Sequence, residues 1–61
     1  MKTLEVRVLE FATVSAADFY MEKVVEMAKD NKGEAKNFKS IRLGEGVKFP
    51  HIVETIIYSE D

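Results

Sequence analysis

One long stretch of this sequence repeats with the period of a helix, and three others read best with the period of a strand. That imbalance constrains the fold most, because one helix covers one face of a small sheet and leaves the other bare. From Ala16 to Asp30, at about 100° per residue, Ala17, Tyr20, Met21, Val24, Val25, Met27 and Ala28 share a broad arc. Asp18, Glu22, Lys23, Glu26, Lys29 and Asp30 take the opposite side, with Phe19 standing among them. Ser15 is the expected N-cap, with Asp18 three residues on as its capping-box partner. Gly33, following Asn31-Lys32, is the expected left-handed residue that ends the helix.

The strand patterns flank it. Between Thr3 and Phe11, Leu4, Val6 and Val8 fall on one face, and Thr3, Glu5 and Arg7 on the other. At Leu9-Glu10-Phe11 the alternation inverts, so that either the strand bulges or its outer face turns apolar at that end. From Lys36 to Leu43, Lys36, Phe38, Ser40 and Arg42 point one way, and Asn37, Lys39, Ile41 and Leu43 the other. Gly44-Glu45-Gly46 signals a turn in a connection that extends to Pro50. His51 to Ser59 is dense in β-branched residues and reads as a last strand. Its faces are Ile52/Glu54/Ile56/Tyr58 and Val53/Thr55/Ile57/Ser59. Helical spacing of Ile52, Val53, Ile56 and Ile57 after Pro50 is the competing reading. The expected class is α+β, ordered β-α-β-β, with one amphipathic helix on a small three-stranded sheet, antiparallel or mixed, in a single compact domain spanning residues 1–61.

Composition narrows what such a domain can be. The chain has 61 residues, 46% of them hydrophobic and 33% charged, with one His and no Cys or Trp. A chain this short buries only about 60% of its unfolded surface. Without cysteines it has neither disulfides nor a thiolate metal site, so packing or self-association must stabilise it. No apolar run exceeds three residues, against the ~18 of a spanning helix. Charge at Lys2 and Glu5 argues against a signal peptide, and the expected compartment is the cytoplasm.

Laid onto these elements, the apolar residues outnumber the places to hide them. The helix is expected to cover Leu4, Val6, Val8, Ile41, Leu43 and one side of the last strand. That leaves Leu9, Phe11, Phe38, Ile52, Ile56 and Tyr58, a larger set than a monomer usually exposes. Phe49, in the long connection, is placed to lid part of it. A second chain is the expected cover, most simply in a two-fold dimer through the open sheet face or a strand edge; the alternative is a twisted monomer with scattered exposed side chains.

Catalytic candidates are isolated. His51 has no second His, no Cys and no local carboxylate pair beside it, and reads as a strand-start residue. Glu10 and Glu54 lie in strands that otherwise bury apolar groups, where a carboxylate can gain a raised pKa. The plainer role is a solvent-facing charge at a sheet edge. Gly44-Glu45-Gly46 lacks the third glycine and the strand-to-helix setting of a phosphate loop, and Glu45 would repel phosphate. Ser15, Ser40 and Ser59 lie outside any nucleophile elbow. No catalytic, metal or cofactor site is expected.

Charge is uneven. Residues 32–48 hold Lys32, Lys36, Lys39, Arg42 and Lys48 against Glu34 and Glu45, in a chain of net charge −2. Lys36, Phe38, Ser40 and Arg42 on one strand face resemble the basic, aromatic surfaces that track single-stranded nucleic acid. The acidic total gives no long-range attraction to a polyanion.

The element order resembles that of two families of small proteins. Tautomerases use a proline after the initiator methionine, where this chain has Lys2. Dodecins stack flavin on a tryptophan of the second strand, where this chain has Phe38. Neither resemblance reaches a motif. The expected function is a non-enzymatic binding or regulatory module, including an inhibitor of a partner protein, that acts through a protein interface and self-associates. Its expected anchors are Phe11, Phe38, Ile56 and Tyr58, with Lys36 and Arg42 at the rim. Nucleic-acid binding through the second strand is the alternative, and a small-ligand-binding homo-oligomer is a further one.

Overall fold

The computed structural model describes residues 2–59. Its elements run β1 (Lys2–Phe11), α1 (Val14–Asp30), β2 (Gly33–Ile41) and β3 (His51–Ser59). The three strands form one antiparallel sheet in the order β1-β3-β2. The last segment is therefore the central strand, and its β-branched run suits a position paired on both sides. Helix α1 lies on one face of the sheet, chiefly over β2 and β3 and only lightly over β1.

The helix begins two residues earlier than its periodicity suggests. Thr13, not Ser15, is the N-cap: its backbone is extended, and its hydroxyl accepts from the Ala16 N–H at 3.2 Å. Ser15 already lies inside the first turn. At the other end Asn31 closes the helix, and Lys32 takes the left-handed conformation, at φ 57°. Gly33 instead opens β2, where a Cβ would collide with the Tyr58 carbonyl. Close approach of two backbones requires glycine there, so the strand starts three residues before the alternation at Lys36.

The core is small. Ala17, Val24 and Ala28 of α1 meet Val53 and Ile57 of β3, with Thr55 fully buried between them. The register shows which face of β1 joins this core. Residues directly opposite in the ladder share a face, and Arg7 and Leu9 stand opposite Thr55 and Val53. Phe11 stacks on Tyr20 with ring centroids 5.4 Å apart. So the inversion at Leu9-Glu10-Phe11 is a face turning apolar, with no break in pairing. The one register shift lies between Thr3 and Glu5.

The expected cover is corrected accordingly. Val6 and Val8 stand opposite Ile56 and Glu54, on the face away from the helix. Leu4, at the register shift, borders a groove with Met27, Ala28 and Ile57 on the helix side. Ile41 and Leu43 are also left uncovered, at 65% and 89% exposure, because they lie at and beyond the end of β2. The link Ala12-Thr13 is too short for β1 to turn over, so the residues just before it, Leu9 and Phe11, face the helix layer.

Candidate protein-interaction face

The face away from the helix is built from four cross-strand rows. In the order β1, β3, β2 these are Thr3–Tyr58–Glu34, Val6–Ile56–Lys36, Val8–Glu54–Phe38 and Glu10–Ile52–Ser40. Six of the twelve positions are large apolar or aromatic residues. No element of the described chain lies over them: Val6, Val8 and Phe38 are 57%, 62% and 53% exposed. Ile52, Ile56 and Tyr58, on the central strand, are half-buried by their neighbours alone.

Polar groups bound this apolar field. At one end Arg42 reaches across to Glu10 at 2.7 Å, joining the two edge strands. Towards the other end the Lys36 ammonium lies 5.6 Å from the Tyr58 ring centroid in a cation–π contact. Glu54 stands in the middle, between Val8 and Phe38, and among the described residues it forms no ion pair. Taking such a carboxylate out of water without a partner is costly.

Of the six expected anchor and rim residues, Phe38, Ile56, Tyr58, Lys36 and Arg42 lie on this face. Phe11 does not; it is on the helix side, against Tyr20. Val6 and Val8 take its place. Their signal in the sequence is parity: once Phe11 faces the helix, every even-numbered residue from Val6 to Glu10 faces away. Phe49 is half-exposed.

The helix side carries a polar chain that composition does not reveal. The Tyr20 hydroxyl donates to Thr55 Oγ1 at 3.0 Å, and Thr55 Oγ1 donates to Asn37 Oδ1 at 2.6 Å. Arg7 lies beside it, hydrogen-bonded to Glu5 at 2.7 Å. The Glu5 hydrogen bond, followed by the Tyr20 hydroxyl, raises the Arg7 pKa. The hydrogen bond from Arg7 in turn lowers that of Glu5. His51 borders a groove of about 200 Å³ with Val14, Ala17, Ile41 and Val53. Among the described residues no cluster of His, Asp and Glu is arranged to hold a metal ion.

No family model matches the chain, and neither do curated proteins or solved structures. No helix of the described chain is long and apolar enough to cross a membrane.

Proposed function

We propose that this chain is a small non-enzymatic protein-binding module, a cytoplasmic regulator or inhibitor that occupies a partner's surface and also self-associates. The observation that carries the reading is the uncovered field of Val6, Val8, Phe38, Ile52, Ile56 and Tyr58, bounded by Arg42–Glu10 and Lys36. Aromatic and aliphatic anchors inside a polar rim are how protein interfaces are built. The surface area supports it. A folded monomer of 7.0 kDa exposes about 4,000 Å², and this chain exposes 4477 Å².

The basic stripe of β2 gives nucleic acid less support. Arg42 is neutralised by Glu10, Lys36 lies over Tyr58, and Glu34 and Glu54 share the face.

The test is capture from host lysate by the immobilised full chain, beside Phe38→Asp and a helix-surface control, Glu22→Lys. Phe38 is exposed, so its variant should keep the parent's circular dichroism. The expected result is a protein retained by the parent and the control and lost with Phe38→Asp. Equal retention by all three overturns the reading, as does retained material that is nucleic acid.

A further inference from the structure

We propose that the open sheet face pairs with a second copy of itself, in a two-fold sandwich whose orientation is set by Lys36 of each copy meeting Glu54 of the other. The proposal rests on the open face being a protein-binding surface, and names one occupant of it.

Charge favours one arrangement over the one centred on β3. Two sheets that pack face to face lie ~10 Å apart with strands aligned to within ~30°. A two-fold axis between them therefore runs either roughly along the strands or roughly across them. An axis along β3 places Glu54 over Glu54 and Ile56 over Ile56, so two carboxylates are desolvated together, which costs heavily. Now consider an axis across the strands, passing between the Val6–Ile56–Lys36 and Val8–Glu54–Phe38 rows. It lays Val6 over Val8, Ile56 over Glu54 and Lys36 over Phe38.

In that second arrangement Glu54 of each copy stands one strand spacing, ~4.8 Å, to the side of Lys36 of the other. Both side chains reach across the gap, and the pair forms twice by symmetry. The isolated carboxylate at the centre of the apolar field then has a cation, and Lys36 slides from the Tyr58 ring to Glu54. A desolvated pair of this kind fixes orientation more than it adds affinity.

The area fits a weak dimer. Three strands ~4.8 Å apart and four rows ~6.8 Å apart make a field of about 400 Å² per copy. Two copies bury about 800 Å², under the roughly 1,000 Å² of a stable specific interface and in the range of weak, transient contacts. Such a dimer is weak and gives way to a tighter partner on the same face.

Equilibrium sedimentation of the full chain from about 5 to about 500 µM tests this, with Lys36→Glu, Glu54→Lys and the double exchange. Circular dichroism first establishes that each variant is folded. The parent is expected to dimerise in the micromolar range, each single reversal to weaken the dimer at least about tenfold, and the double exchange to restore it. A parent monomeric throughout overturns the second copy as occupant. A dimer indifferent to both reversals, or not restored by the exchange, overturns this orientation. A monomeric parent removes self-association from the proposed function and leaves its partner binding standing; that binding fails if lysate capture is indifferent to Phe38→Asp or retains nucleic acid. Dimerisation with charge exchange but no Phe38-dependent partner supports the sandwich and overturns the regulatory role.

Discussion

At the scale of single residues, Thr55 is the most consequential position in the core. It has no exposed surface, yet its hydroxyl accepts from Tyr20 and donates to Asn37. Helix, central strand and edge strand are thereby joined through one oxygen. Thr55→Val keeps the shape and removes that oxygen, leaving the Tyr20 hydroxyl and Asn37 short of a partner. A loss of about 1–3 kcal/mol is expected, read as a lower urea midpoint with an unchanged slope. An unchanged midpoint would mean that water replaces the hydroxyl at no cost. The exposed charges carry less. Lys23 lies over the Phe19 ring at 5.4 Å, which gives that aromatic a partner among the helix charges, and exposed contacts of this kind contribute about 0.5–1 kcal/mol.

At the scale of elements, the junction between α1 and β2 is where local preference and tertiary packing disagree. A helix usually ends on a left-handed glycine. Here the left-handed residue is Lys32, and the glycine beside it is needed for contact with β3. Two substitutions separate these demands. Gly33→Ala is expected to lower stability by more than about 1 kcal/mol, because the new methyl meets backbone that cannot yield. Lys32→Gly is expected to raise it by up to about 1 kcal/mol, by relieving the left-handed strain of a side-chain-bearing residue. Urea unfolding of both variants checks the pair. Opposite signs are the signature, and a stabilising Gly33→Ala would refute the close approach.

At the scale of the whole molecule, the chain is a two-layer slab with one layer incomplete. Its radius of gyration of 12.8 Å exceeds the ~10.5 Å of a compact chain of this length. Among the described residues the core offers five buried apolar side chains, two of them alanines, so the stability of the isolated chain lies at the low end for small domains. Anything that binds the folded form adds to it by mass action. If the open face binds a second copy, the melting temperature rises with protein concentration, by several degrees between about 5 and about 500 µM. Glu54→Lys should flatten that dependence. A parent whose melting temperature is independent of concentration would exclude self-association as a source of stability.

The sequence by itself determined the number, order and kind of the elements. Periods of 3.6 and 2 are local, and the strand character of residues 51–59 follows from Ile52, Val53, Thr55, Ile56 and Ile57 being β-branched. It also determined that the apolar faces would exceed what one helix covers. Which residues fill the uncovered face was a tertiary decision. Alternation along β1 defines two faces without saying which one meets the helix, and Leu4, Val6 and Val8 look like the better core. The two-residue link to α1 and the stacking of Phe11 on Tyr20 turned the other face inward, leaving Val6 and Val8 bare. The central place of β3 was likewise beyond local reading, because strand order depends on pairings between segments far apart in the chain. It is that order which sets Glu54 in the middle of the open face, between Val8 and Phe38.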